Sequence, residues 1–337
     1  MLKMEKTPKF TPDPNLKLMD QVRQVLRYHH YAINTERTYC QWILRFIHYY
    51  GARRHPREMG SGEIETFLSH LASDQHMSAA TQRQALNAIV FLYKYVLNID
   101  IGDSITPVRA KRRPRLPVVM SEDETRAVLD RMQGQNLLMA ELLYGAGLRL
   151  KECVRLRINA IDLPRGFIYV RFGKGGKDRT VPLPASLVDK IRAQMETVRS
   201  LHETDVRDGF GEAWLPEGFA KKIGSAASNL GWQYLFPAKK RSVDPRSGKT
   251  MRHHVLASGL QKAVRAAVRR AGLTKRVTCH TFRHSYATHL LENGVNIRVV
   301  QELMGHADVK TTEIYTHVMQ KNIGAVTSPL DVLRGHS

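Results

Sequence analysis

Residues 137–156, LLMAELLYGAGLRLKECVRL, and residues 167–183, FIYVRFGKGGKDRTVPL, decide the fold. The first stretch reads as a helix, a break at Gly145 and Gly147, and a second helix. In the second, the short runs FIYVRF and DRTVPL flank GKGGK, a glycine-rich tip, and together they predict a β-hairpin. A helix pair beside one small hairpin predicts a mainly α fold with a small β-sheet.

Working outward, Ser121 and Glu124 stand at capping-box spacing ahead of another helix. Residues 200–255 read as irregular and hold Trp214, Trp232, an acidic patch and a basic patch, whereas the final third is helical in pieces closed by Gly272, Gly294 and Gly305. Upstream lies ITPVRAKRRPRLPVV, in which Arg109, Lys111, Arg112, Arg113 and Arg115 crowd among three prolines. Such a run resists burial and stays extended, so it reads as a linker, one suited to lie along a phosphate backbone. Before it, Leu16 to about Asn98 is helical throughout. Leu16, Met19, Val22, Val25 and Leu26 recur at helical spacing, as do Trp42, Ile43, Phe46, Ile47 and Tyr50, with Gly51 a natural stop. A third helix beginning at Ser61, which can cap it, and a fourth through TQRQALNAIVFLYKYVL complete a small all-α domain.

The 337 residues suffice for two domains with real cores. A net charge of +21 on an ordinary 42% hydrophobic composition points to a folded protein that meets a polyanion. No apolar stretch is long enough for a membrane span, and MLKMEKTPKFTPDPN lacks the apolar core of a signal peptide. Cys40, Cys153 and Cys279 form no C-x-x-C pair, which argues against a disulfide framework or zinc finger and fits the cytoplasm.

The densest chemistry is TCHTFRHSYATH, residues 278–289. His280 and Arg283 sit three apart and share a helix face. Arg149 follows the glycine-rich break, His306 follows Gly305, and Tyr315 lies in DVKTTEIYTHV, a short helix opened by Asp308. Gathered around a phosphodiester, two guanidiniums and imidazole donors would hold the non-bridging oxygens, and the arginine charges would favour the tyrosine phenolate. His284 and His289 read as structural. His280 and His284 have metal-ligand spacing, but the H-E-x-x-H glutamate is missing and Arg283 stands between them. GKGGK fails the Walker A pattern at Arg171 and Asp178, and Leu150 replaces the third glycine of a dinucleotide fingerprint.

Together YGAGLRLKE, GKGGK, HTFRH, LMGHADVKTTEIYTHV and the preceding helical region resemble the tyrosine recombinases of the lambda integrase type, over about residues 16–330. The spacing is specific: H-x-x-R, then G-H, then a tyrosine nine residues beyond that histidine. The long segment before HTFRH, with LFPAKKRSVDPRSGK and MRHH, and the ending TSPLDVL are most similar to the integron integrases.

The resemblance implies a two-domain C-shaped DNA clamp. It would comprise a leader at 1–15, a SAM-like core-binding domain at 16–103, a basic linker at 104–118, a catalytic domain at 119–330 with an insert at about 200–255, and a tail at 331–337. Tyr315 would be the nucleophile, leaving a 3′-phosphotyrosyl bond. Arg149, Arg283 and His306 would hold the phosphate, His280 would assist, and Lys174 rather than Lys177 would protonate the leaving 5′-oxygen. Glu152, near Arg149, would orient it. Trp232, Pro245, His253 and His254 would hold flipped-out bases of folded single-stranded cassette sites. Neither metal nor ATP is called for, since the phosphotyrosine conserves the bond energy and Arg, His and Lys supply positive charge. The working assembly would be a homotetramer on DNA. Two alternatives remain: a recombinase acting on duplex sites, and a non-catalytic DNA-binding protein of the same fold.

Overall fold

The computed structural model describes residues 10–52, 54–101, 117–171, 178–215, 222–245, 247–306, 308, 310–313 and 315. The chain divides into two compact units, Met1–Pro114 and Arg115–Ser337.

The first unit is built from amphipathic helices. Helix α1 (Leu18–Tyr28) buries Val22, Val25 and Leu26, and α2 (Ile33–Tyr49) buries Cys40, Trp42, Ile43 and Phe46, the stripes that a 3.6-residue period requires. Gly51 ends α2 at φ +77°. Helix α3 (Ser61–Ser73) buries Ile64, Phe67, Leu68 and Leu71. Its cap differs from the expectation. Ser61 is the first helical residue and Gly60 the cap, so no serine hydroxyl caps the helix; the Glu63 carboxylate instead reaches back to accept from the Gly60 N–H at 2.8 Å. Helix α4 (Ala79–Phe91) starts at a Ser78 cap and widens into a π turn, Leu92–Leu97, closed by Asn98 in the left-handed region.

The second unit opens with the expected capping box, Ser121 and Glu124 exchanging hydrogen bonds at the start of α5 (Glu122–Leu129). Helix α6 (Gly134–Gly145) lays Leu138, Met139, Leu142 and Leu143 into the core. After the glycine break comes α7 (Leu150–Val154). Among the described residues, β1 (Ile161–Asp162), β2 (Phe167–Val170) and β3 (Arg179–Pro182) form an antiparallel sheet, with Ile168 opposite Val181 and Val170 opposite Arg179. The tip of that hairpin, residues 172–177, lies outside the described residues.

Residues 200–255 are more ordered than expected, because α8 (Val188–Arg207), anchored upstream by Ile191 and Val198, continues into that stretch, where it buries Asp205. A small ladder, β4 (Ser242–Val243) with β5 (Thr250–Met251), follows. Then come α9 (Ala257–Arg270), α10 (Cys279–Glu292), α11 (Ile297–Met304) and α12 (Lys310–Glu313). The glycines at 272, 294 and 305 all take positive φ. Helix α10 packs across α6 and is buried nearly all round, with Phe282 inside the same apolar cluster as α6. Among the described residues, no helix is long and apolar enough to cross a membrane.

Candidate active site

The glycine break does steric work. Gly147 takes φ +59°, and a Cβ there would meet the Tyr286 ring at 2.4 Å, so only glycine lets the chain turn this close to α10. The turn delivers Arg149 as the cap of α7. Its backbone N–H donates to Glu152 Oε2 and its Nη1 to Oε1, both at 2.8 Å. Its Nη2 donates to the Gly305 carbonyl at 3.0 Å and to the Met304 carbonyl at 3.2 Å.

Arg283, from the first turns of α10, reaches the same place. Its side chain is buried, Nη1 donates to the Gly147 carbonyl, and Nη2 donates to the Met304 carbonyl. Two guanidiniums from positions far apart in sequence therefore converge on one backbone oxygen. Burial, then the charges of Arg149 and Arg179, bring the Arg283 guanidinium down to about 9. It is still cationic at neutral pH, and a polyanionic ligand would relieve the repulsion.

His306 follows Gly305 directly, with Nδ1 hydrogen-bonded to Thr312 Oγ1 at 2.9 Å. Burial, then Arg283 and Arg149, draw its imidazole down to about 4, so it is neutral at pH 7. His280 faces outward from the first turn of α10, and partial burial followed by Arg283 lowers it in the same direction.

Tyr315 lies just beyond α12. Its ring is 1% exposed and packs with Tyr286, Leu291, Val300 and Met304. Arginine charge favours the phenolate here as expected, but burial outweighs it. Burial pushes the phenol up to about 12, and Arg283 offsets only part of that. The hydroxyl is hydrogen-bonded to His284 Nδ1 at 2.5 Å. His284 was read as structural, yet it touches the tyrosine oxygen. It shares a helix face with His280, four residues earlier. Burial, then His280 and Arg283, bring it to about 4. His289 does serve structure: Nε2 donates to the Met120 carbonyl at 3.0 Å, which leaves Nδ1 to accept from the Tyr144 hydroxyl at 2.8 Å.

Glu152 is the hub. Burial pushes its carboxyl up, but the hydrogen bonds and charge of Arg179, then of Arg149, outweigh that and hold it at about 2. Arg179 escaped the sequence reading. Strand parity was the available signal: residues 179 and 181 share a face, Val181 is buried, and so an arginine had to point inward. Among the described residues, no group of three or more His, Cys, Asp or Glu side chains is arranged to hold a metal ion.

The insert is tied to the body by Arg157, also missed. Its guanidinium donates to the Trp214 carbonyl at 2.5 Å and to the Trp232 carbonyl, and lies over the Tyr234 ring at 4.5 Å. Trp232 closes a short 3₁₀ turn and is half-buried. His254 meets the Tyr234 ring edge-on at 5.2 Å, and its Nδ1 donates to the Val255 carbonyl at 2.7 Å. His253 Nε2 stands 3.6 Å from Asp244, next to the exposed Pro245. Burial lowers both imidazoles. Lys174, Lys177 and the linker residues Arg109, Lys111, Arg112, Arg113 and Arg115 lie outside the described residues, as does the tail.

Known proteins are similar to this chain in sequence and fold. Residues 118–322 match the phage integrase family, and residues 18–103 match the phage integrase N-terminal SAM-like domain. The chain is 42% identical over 327 residues to an integrase/recombinase of Escherichia coli, covering 97% of each. It is 30% identical over 295 residues to tyrosine recombinase XerA of Thermococcus kodakarensis, covering 86% of each. A solved structure of XerH site-specific recombinase bound to palindromic difH substrate, a post-cleavage complex, is similar in fold, with a TM-score of 0.57 at 20% identity, covering 94% of this chain and 98% of that one. The chain belongs to the phage integrase family of tyrosine recombinases.

Proposed function

We propose that this recombinase is of the integron type: it integrates and excises gene cassettes by cutting folded single-stranded sites through a 3′-phosphotyrosyl intermediate on Tyr315. The observation that carries the chemistry is the convergence of Arg149 and Arg283 on the Met304 carbonyl, beside His306. Two cations held this close suit the non-bridging oxygens of a phosphodiester, where charge builds as the tyrosine attacks. His306 and His280 complete the polar wall, and Lys174 at the hairpin tip protonates the departing 5′-oxygen. Positive side chains take the part that metal ions play in other phosphoryl transfers, so neither metal nor ATP enters.

Support for the cassette-site reading comes from the insert. Arg157 fixes the backbone of the half-buried Trp232, and burial lowers the imidazoles of His253 and His254 in the same insert, favouring their neutral forms. A stacking aromatic beside uncharged donors suits an extrahelical base. The basic linker grips phosphates, and four copies assemble on paired sites.

The test is covalent-adduct formation and binding on a nicked, folded single-stranded cassette site, at moderate salt. Trp232→Ala removes a stacking surface contributing roughly 1–3 kcal/mol, so affinity for the folded site falls about five- to two-hundredfold. Duplex binding changes far less. Equal weakening on both substrates makes Trp232 a packing residue, and adducts on duplex DNA alone assign the chain to duplex sites.

A further inference from the structure

We infer that Arg179 is a positioning residue for strand cleavage: it sets Arg149 and the His306 turn against each other through Glu152. The inference rests on the reading of Arg149 as a phosphate ligand. Arg179 leaves β3 two residues after the hairpin tip, and its side chain is 8% exposed. It donates from Nη1 to Glu152 Oε1 at 2.9 Å, from Nη2 to Glu152 Oε2 at 2.7 Å, and from Nε to the Leu303 carbonyl at 2.9 Å. One planar side chain thus joins three elements, β3, the start of α7 and the last turn of α11.

The join has a matching vacancy in the sequence. A Cβ on Gly305 would come within 2.9 Å of Arg179 Cδ, and Gly305 takes φ +57°. Glycine at 305 therefore ends α11 and also makes room for the guanidinium stem. Because each of its three nitrogens donates within the protein and the side chain is buried, Arg179 is not itself aimed at DNA. Its influence passes through Glu152, whose two oxygens are shared between Arg149 and Arg179. Without Arg179, the carboxylate is held by Arg149 alone, the Leu303 carbonyl loses a donor, and the carbonyls that orient Arg149 and Arg283 are free to shift. A lysine keeps the charge but cannot bridge two carboxylate oxygens and a carbonyl at once.

The experiment uses the full chain and saturating nicked DNA site, following the single-turnover rate of covalent adduct. Arg179→Ala should slow cleavage roughly 10- to 100-fold, the scale of a small misplacement of a reacting group. Site affinity should stay within about twofold, which separates a rate effect from a binding effect. Arg179→Lys should restore only part of the rate. In a Glu152→Gln background, Arg179→Ala should cost no more than about threefold, because the two act along one path.

Four results overturn the inference: a normal rate in Arg179→Ala, a loss confined to affinity, full rescue by lysine, or independent losses in the double variant. If the alanine variant does not fold, Arg179→Lys with and without Glu152→Gln carries the same comparison, and a full rate in the lysine variant is again decisive. Arg149→Ala is run alongside. A normal rate there removes the phosphate-ligand reading itself, a failure distinct from that of Arg179.

Discussion

Among the described residues, the most deeply buried tyrosine of each unit is Tyr93, at 0% exposure, and Tyr315, at 1%, and the two differ in what the hydroxyl meets. The Tyr93 hydroxyl shares its one hydrogen between the carbonyls of Pro56 at 2.9 Å and Met59 at 3.0 Å. Both partners are fixed backbone acceptors with no second protonation state. Tyr315 is paired instead with His284, whose imidazole can change its charge, and it lies near the buried cation Arg283. Burial raises both phenols. The same burial thus makes a rigid staple in the first unit and a chemically responsive group in the second.

Removing one hydroxyl from each tests this contrast. The largest effect belongs to Tyr315→Phe. It deletes the proposed nucleophilic oxygen and little volume, so covalent adduct on a denaturing gel should disappear while DNA binding holds, and the lost bond to His284 should lower thermal stability only modestly. Persistent adduct in the variant would place the nucleophile elsewhere and dissolve the contrast.

The same contrast explains what could be read in the sequence. The first unit was legible because its helices obey one rule: apolar residues at helical spacing, as in Ile64, Phe67, Leu68 and Leu71. Helix α10 breaks that rule. It buries Thr281, Arg283, Ser285, Thr288 and His289 beside Phe282 and Leu291, so periodicity says little and chemical residue types at fixed spacing say more. That is how Arg149, His280, Arg283, His306 and Tyr315 stand out in the sequence as candidates. Arg179 and His284 were missed because their partners, Glu152 and Tyr315, are brought to them only by the fold. The phenolate expectation was incomplete for a related reason: the pull of arginine charge is present, but the desolvation that outweighs it depends on packing by Met304 and Val300.

The next effect is acid sensitivity in the second unit. His284 and His306 are held at about 4 in the folded chain, below the ordinary 6.5. Neutral imidazole is what the fold prefers, so their stabilisation is present above 6.5 and is lost as pH falls towards 4. With solvent contact discounted, each contributes ~1–2 kcal/mol. Glu152, held at about 2, keeps its contribution through that window and loses it only as pH falls from 4.5 through 2. Thermal unfolding followed by fluorescence in a Trp42→Phe variant, whose remaining indoles are Trp214 and Trp232, reports on this unit. Its melting temperature should drop between pH 6.5 and 4. The drop should shrink in His284→Asn/His306→Asn, and an unchanged slope in that variant would place the acid response elsewhere.

The smallest effect is Tyr93→Phe. Its hydroxyl satisfies two carbonyls in the loop before α3, and phenylalanine keeps the ring against Phe46, with which Tyr93 makes an edge contact at 6.5 Å. What is lost is a buried donor, leaving two acceptors to find water or go without. That should cost about 1–2 kcal/mol. Over a helical unit of this size, each kcal/mol lowers the melting temperature by roughly 4–8 °C. Trp42 shares the Tyr93 core, so its fluorescence, isolated by Trp214→Phe and Trp232→Phe, reads the change directly. Adduct formation below the new melting temperature should match that of the same chain with Tyr93 intact, because no group that Tyr93 touches changes charge during cleavage. A cleavage rate that fell with the hydroxyl, as in Tyr315→Phe, would mean the first unit's tyrosine is coupled to the chemistry. A melting temperature left unchanged would mean that water replaces the phenol without penalty, and that Tyr93 is held by its ring alone.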